Sequence, residues 1–96
     1  MEFAWDSEKD RANRNKHGIA FSAVVAVFDA GDAALEVYDA VHSLAQERFI
    51  TIGPVGSRIV VVSWTEQPPG VIRIISARHT TPRERRLYHR HLEDLL

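Results

Sequence analysis

Four stretches of the chain are rich in Val, Ile, Phe, Trp and Thr, which is typical of β-strands. They are Ala34 to Tyr38, Glu47 to Ile52, Ile59 to Thr65 and Val71 to Ala77. The turn sequences Gly53-Pro54-Val55-Gly56 and Gln67-Pro68-Pro69-Gly70 separate the last three. Parallel neighbours need a crossover of about a dozen residues, so these short connections predict an antiparallel meander. The last two strands are apolar on both faces, so we expect helices on one side of the sheet and another layer, such as a partner protein, on the other.

Two short helices are predicted ahead of the strands. Ser7 and Asp10 have capping-box spacing and Gly18 is a natural helix end, so residues 8–17 are expected to form a polar helix. Ser22 is a second N-cap candidate, and the apolar run Ala23 to Phe28 predicts a short and more buried helix.

The clearest local pattern is Thr81-Pro82-Arg83-Glu84. Thr81 can cap a helix, Pro82 suits its first position, and Glu84 can reach back to the Thr81 amide. A helix from Pro82 to about Leu95 follows. The prediction is therefore a single α+β domain over residues 1–96, with two short N-terminal helices, a four-stranded antiparallel meander sheet and a C-terminal helix.

Composition narrows the class of protein. The chain has 96 residues, of which 45% are hydrophobic and 26% charged, as in one ordinary globular domain. The absence of cysteine excludes disulfides and thiolate metal sites. The acidic N-terminus lacks the pattern of a signal peptide, and purely apolar runs such as Ala23 to Phe28 and Ile59 to Val62 are too short to span a bilayer. We therefore expect a cytoplasmic protein with no membrane partner.

Charge is strongly polarised along the chain, although the net charge is only −1. The segment from Asp29 to Glu47 has five acidic residues and no Lys or Arg, whereas Val71 to His91 has six arginines, three histidines and only Glu84 as an acid. Such a chain can attract phosphate on one face while it stays nearly neutral overall. Solvated faces with scattered ion pairs are the simpler interpretation of the same pattern.

Three motifs together resemble the BrnT toxin family. The first is Trp5-Asp6 followed by Asn13, Lys16-His17-Gly18-Ile19 and Phe21, and the second is Glu47-Arg48-Phe49 with Ile52-Gly53. The third runs Ile72-Arg73-Ile74-Ile75-Ser76-Ala77-Arg78, then Thr81, Arg83-Glu84-Arg85 and Tyr88. The resemblance extends from about Phe3 to Tyr88.

The resemblance implies a RelE-like fold and cleavage of RNA without a metal or other cofactor, which arrests translation. It also implies inhibition by a BrnA-type antitoxin, with operator DNA bound only through the toxin–antitoxin complex. Relatives often carry a basic residue just after Thr-Glu, whereas Thr65-Glu66 is followed here by Gln67. That departure predicts weaker or differently selective contact with RNA.

Arginine is the natural residue to stabilise charge on a phosphoryl group, because it is always ionised and binds phosphate in a bidentate way. Arg78 lies where the last strand ends near the capped helix, which makes it the first catalytic candidate. Arg73 is the second. The two are an odd number of residues apart, so a regular strand places them on opposite faces unless it bends or ends before Arg78.

The remaining catalytic candidates each have a structural alternative. Glu66 and Glu84 are possible proton acceptors, yet Glu66 can be merely solvated and capping explains Glu84. A histidine such as His17 is a candidate acid or base, but a histidine also suits the end of a helix. Tyr88 can contact a base or simply pack.

Candidate RNA-binding residues are Lys16, Arg48, Arg83 and Arg85, and Arg48 can instead form a surface ion pair. His89 and His91 are two apart on a predicted helix and diverge by roughly 200°, so they do not form a metal site. Two other functions remain open: a non-catalytic co-repressor that binds the antitoxin, and a plain RNA-binding module.

Overall fold

The computed structural model describes residues 1–96. In chain order the elements are β1 (Glu2–Ala4), α1 (Ser7–His17), α2 (Phe21–Val24), two 3-10 turns (Val25–Asp29 and Gly31–Ala33), β2 (Leu35–Tyr38), β3 (Phe49–Val55), β4 (Arg58–Glu66), β5 (Val71–His79) and α3 (Pro82–Asp94). The α+β class and the C-terminal helix are as predicted.

The sheet has five strands in the order β1-β5-β4-β3-β2. Strands β2 to β5 form the predicted antiparallel meander. The prediction of a purely antiparallel, four-stranded sheet was wrong, because β1 pairs with β5 in parallel and makes the sheet mixed. Only three residues of β1 enter the ladder, so the stretch is too short to show a strand pattern.

The turn predicted at residues 53–56 is shorter than expected. Strand β3 continues to Val55, and only Gly56 and Ser57 connect it to β4. Gly53 lies inside β3, beneath the first 3-10 turn, where a Cβ would come within 2.6 Å of Val27 Cγ2. Gly53 therefore marks a close approach between two elements and not a chain reversal.

The two N-terminal helices begin earlier than predicted. Asp6, not Ser7, caps α1, since its side chain accepts hydrogen bonds from the Glu8 and Lys9 amides. Residue Asp10 accepts a hydrogen bond from the amide of Phe21 at 2.8 Å, which satisfies the start of α2 from a distance. Ser22 is thus not a cap, and the predicted helix over 23–28 is a single turn of α2 followed by a 3-10 turn.

Each face of the sheet has its own apolar cluster. On the first face, Phe21, Val24 and Val27 pack against strand residues such as Val62 and Ile74. On the second face, Tyr88 of α3 packs against Ile52 and Val61, with Leu92 beside them. The layer expected on the far side of the sheet is therefore partly supplied by α3 itself.

Helix α1 is attached to the outer edge of β5 by Asn13, which is 7% exposed. Its carboxamide donates to the Ala77 carbonyl at 2.8 Å and accepts from the Ala77 amide at 3.1 Å. It also donates to the Ile19 carbonyl at 2.9 Å. Asn13 thus replaces a neighbouring strand where β1 has ended, and it leaves no unpaired backbone group at Ala77.

Candidate functional site: a basic groove on the second face

Strand β5 contains a bulge that changes which way its arginines point. Ser76 pairs with Ser63 and Ile74 pairs with Trp64, so Ile75 has no partner in β4. Arg73 lies opposite Thr65 and Arg78 opposite Val61, four residues further along a regular part of β4. Directly paired side chains share a face, so both arginines lie on the second face, about 13 Å apart along the strands. Strand β5 is thus irregular between Arg73 and Arg78. Such an irregularity is what allows two arginines an odd number of residues apart to lie on one face.

The floor between these two arginines is made of small and partly exposed side chains. Ile50, Ser63 and Ser76 form one cross-strand row of the second face, and each is half-buried. The next row towards Arg73 contains Thr65, whose hydroxyl donates to the Glu47 carbonyl at 2.7 Å and is covered by that loop. The row on the other side lies under α3. The second face is therefore open only along a groove, which we call the central groove.

Helix α3 packs on the second face beside the central groove. The side of the helix turned to the sheet contains Glu84, Tyr88 and Leu92. Arg83, Arg86, Leu87 and Arg90 line a surface depression together with Thr81 and Glu84, and no sheet residue contributes to it. Arg85 projects from the flank opposite Leu87, towards the β3–β4 turn. The four arginines of α3 are exposed, and Leu87 is half-exposed.

Arg78 is held in a fixed orientation by Glu84. Its Nη1 and Nη2 donate to Glu84 Oε1 and Oε2, both at 2.7 Å, and Nη1 also donates to the His79 carbonyl at 3.2 Å. Glu84 Oε1 accepts from the Thr81 amide at 2.9 Å as well, which completes the predicted capping box. Hydrogen bonding to Arg78 lowers the pKa of Glu84 from 4.5 to about 2, and the same contact raises the pKa of Arg78.

The pair with Glu84 leaves part of the Arg78 guanidinium free. A guanidinium has five N–H donors, and Arg78 uses three of them within the protein. The side chain is 38% exposed, so Nε and one Nη2 hydrogen remain for an acceptor from outside. Glu84 is ionised at neutral pH but is a weak base with a pKa near 2. Its geometry suits the positioning of Arg78 better than the removal of a proton.

Two other catalytic candidates lie away from the free donors of Arg78. The Tyr88 hydroxyl donates to the Ala33 carbonyl at 2.7 Å, the residue is 3% exposed, and burial raises its phenol pKa. Glu66 accepts a hydrogen bond from the Gly70 amide at 3.1 Å, in the turn at the far end of β4. It lies five residues from Val61, about 17 Å along the strand from the position of Arg78.

The remaining candidates are distributed over three parts of the molecule. Lys16 and His17 end α1 at the outer edge of the sheet, and no hydrogen bond or ion pair joins them to Arg78. Arg48 directly precedes Phe49, the first residue of β3, which stacks on Trp64 on the first face. Its Nε is buried without a hydrogen-bond partner. The structure thus brings Arg73 and Arg78 to one face of the sheet, and it places Arg83 and Arg85 in different surface depressions of α3.

Ser63 and Ser76 lie in the floor of the candidate groove, and the sequence did not indicate them. Each is an ordinary polar residue within a predicted strand, and only the register shows that the two are paired in the floor.

No helix in the structure meets the length and apolarity that a membrane span requires. No three His, Asp or Glu side chains are arranged as a metal-binding group.

The fold is that of a bacterial ribonuclease toxin. The crystal structure of the Brucella abortus ribonuclease toxin BrnT superposes with a TM-score of 0.69, at 24% sequence identity, over 84% of this chain and 97% of that one. The family model described as the ribonuclease toxin, BrnT, of type II toxin–antitoxin systems matches residues 5–84. The chain therefore belongs to the BrnT family. A search of curated proteins returned no match.

Proposed function

We propose that this protein is an endoribonuclease toxin that cleaves RNA in the central groove without a metal ion and thereby arrests translation. Membership of a ribonuclease toxin family supports the activity. The observation that carries the location is the Arg78–Glu84 pair, which fixes an arginine at the groove and leaves two of its donors free. The cytoplasm is where such a protein meets its RNA substrate.

In this mechanism the 2′-hydroxyl of the RNA gives its proton to water and attacks the neighbouring phosphorus. The bond to the 5′-oxygen of the next nucleotide breaks, that oxygen takes a proton from water, and a 2′,3′-cyclic phosphate remains on the other fragment. Arg78 stabilises the negative charge that develops on the phosphoryl oxygens, because its free fork matches two of them. Glu84 is a positioning residue that holds this fork. Arg73, Arg48 and Arg83 bind flanking phosphates along the groove through their permanently charged guanidinium groups.

The partner in this proposal is a BrnA-type antitoxin, which neutralises the toxin and brings the complex to operator DNA. Membership of a type II toxin–antitoxin family supports a protein partner. A second candidate function is a co-repressor that binds the antitoxin and has no nuclease activity. The observation that favours it is the lack of any titratable acceptor, other than the weakly basic Glu84, in hydrogen-bond contact with Arg78.

The deciding experiment measures cleavage of a defined RNA by purified protein in the presence of EDTA. The comparison includes wild type, Arg78→Lys, Arg78→Ala and the exposed control Arg11→Ala. We expect the control to match wild type. Loss of one charge-stabilising donor group predicts rates about 10²- to 10³-fold lower for both Arg78 variants. Circular dichroism of each variant confirms that the fold is retained.

A substrate with 2′-deoxyribose at the cleaved position distinguishes attack by the 2′-hydroxyl from attack by another nucleophile, since it lacks that hydroxyl. We expect it to be resistant. Cleavage of that substrate, or activity that EDTA abolishes, would contradict the mechanism. Folded wild-type protein that cuts no RNA but binds the antitoxin would favour the co-repressor.

A further inference from the structure

A second concentration of positive charge lies on the opposite flank of α3 from the central groove. The β3–β4 turn, the end of β5 and the first turns of α3 meet there and form a shallow pocket. Its lining consists of Ser57, Arg58, Ile59, His79, Thr80 and Arg85. All of these except Ile59 are polar, and none carries a carboxylate. We call this the hairpin pocket.

The two arginines of the hairpin pocket have no counter-ion within the protein. The structure contains three ion pairs, and these join Arg14 to Asp10, His42 to Asp39 and Arg78 to Glu84. Arg58 and Arg85 take part in none of them, although both side chains line one concavity. Like charges brought together in this way repel each other, and a bound anion relieves that repulsion.

The surrounding groups are also those that an anion requires. His79, Ser57 and Thr80 supply further hydrogen-bond donors next to the two guanidinium groups. The N-terminal end of the 13-residue helix α3 lies beside them and adds a partial positive charge. Hydroxyl, imidazole and guanidinium donors that converge without an acidic neighbour match a phosphate group, which offers acceptors in several directions.

We propose that the hairpin pocket binds a phosphate group of the RNA, outside the groove in which cleavage is proposed. This inference rests on the proposed function, because it takes RNA as the ligand. The RNA chain then passes over the N-terminal part of α3, with Arg78 and Arg83 on one side of the helix and Arg58 and Arg85 on the other. The pocket strengthens RNA binding and fixes the position of the RNA relative to Arg78, but it takes no part in the cleavage step.

The test uses the double variant Arg58→Gln/Arg85→Gln. Its matched control is Lys9→Gln/Arg11→Gln, which removes the same charge from exposed positions of α1. Binding of a fluorescent 2′-O-methyl RNA, which lacks the attacking hydroxyl, is followed by anisotropy at several salt concentrations. For a single strand, log K falls with log salt by about 0.7 for each phosphate contacted. We expect the pocket variant to bind at least about tenfold more weakly with a slope lower by about 0.7, and the control to keep the wild-type slope.

A second measurement examines the pocket without RNA, by titrating inorganic phosphate into ¹⁵N-labelled wild-type protein. We expect the amide signals of Ser57 and Thr80 to shift in wild type but not in the pocket variant. Phosphate shifts together with unchanged RNA binding by the pocket variant would overturn RNA as the source of the phosphate. Equal losses in the pocket variant and the control, or no phosphate shifts, would overturn the site itself. If wild type binds the RNA through the pocket but cleaves no unmodified RNA, the proposed enzymatic function fails while the pocket stands.

Discussion

The ion pair between Arg78 and Glu84 predicts a specific loss of stability in acid. The folded pKa of Glu84 is about 2, against an ordinary value of 4.5. A carboxylate whose pKa is lowered by folding stabilises the native state above its unfolded pKa, and this contribution disappears as the pH falls through the folded pKa. The window for Glu84 is therefore between about pH 4.5 and pH 2.

The size of the effect follows from the same two values. At 1.36 kcal/mol for each pKa unit, the difference corresponds to an upper bound of about 3 to 4 kcal/mol. Glu84 is 24% exposed and Arg78 is 38% exposed, so solvent and salt screen part of the attraction. We therefore expect about 1 to 2 kcal/mol from this pair, which is more than an ordinary surface pair provides because both hydrogen bonds are short and bidentate.

The assay is urea unfolding of wild type and Glu84→Gln between pH 7 and pH 2. Glutamine keeps a carbonyl oxygen that can accept from the Thr81 amide, so the variant removes the charge while it retains much of the helix cap. We expect wild type to be more stable by about 1 to 2 kcal/mol at pH 7, with the difference shrinking to nearly zero at pH 2. The exposed Glu93→Gln is the control on the same helix. A difference that stays constant over this pH range would refute the argument, since it would be independent of ionisation.

Three further substitutions test the packing that positions the site. Asn13→Ala removes three buried hydrogen bonds and should lower the free energy of unfolding by about 2 to 4 kcal/mol. The control Asn15→Ala, on the exposed side of α1, should change it by less than about 0.5 kcal/mol. Thermal melts of both variants check these values. Gly53→Ala should cost about 1 to 3 kcal/mol in the same assay, because its Cβ meets Val27, and an unchanged melting temperature would show that the 3-10 turn yields freely. Tyr88→Phe should lose about 1 kcal/mol of stability and keep its RNA cleavage rate, because the hydroxyl is bonded inside the protein; a rate loss of tenfold or more in folded protein would instead give Tyr88 a part in the chemistry.

The elements that the sequence predicts well are those whose stabilising contacts are local. The capping box joins Thr81 and Glu84, three residues apart, and both of its hydrogen bonds are present. The start of α2 depends on Asp10, eleven residues before Phe21, and a pattern of near neighbours does not reveal this contact. The prediction of Ser22 as the cap is therefore wrong. The bond between Asn13 and Ala77 spans 64 residues. Contacts of that range become visible only when the topology is known.

The roles of the candidate site residues stay predictions, and the structure shows only where these residues lie. Arg73 and Arg78 lie on the second face of the sheet, and Arg83 lies on α3, the helix that packs on this face. Arg85 was assigned to the same surface, but its place on the helix turns it by about 200° from Arg83, to the other flank. The distinction between the two flanks depends on which side of α3 is buried, and the buried position of Tyr88 supplies that information.

The bulge at Ile75 decides on which face of the sheet Arg78 lies. In a regular strand, Arg73 and Arg78 would face opposite sides, and Arg78 would point into the apolar layer that contains Val24 and Val27. An arginine buried there without a partner would cost several kcal/mol, so the fold could not tolerate it. Because Ile75 is unpaired, the alternation of the residues after it shifts by one position. Ala77 then lies on the first face, and Arg78 lies on the second face next to Glu84. The same irregularity therefore keeps the core apolar and places a second arginine at the groove. Alternation along the sequence shows that Arg73 and Arg78 fall on opposite faces of a regular strand, but it does not reveal the bulge that brings them to the same face.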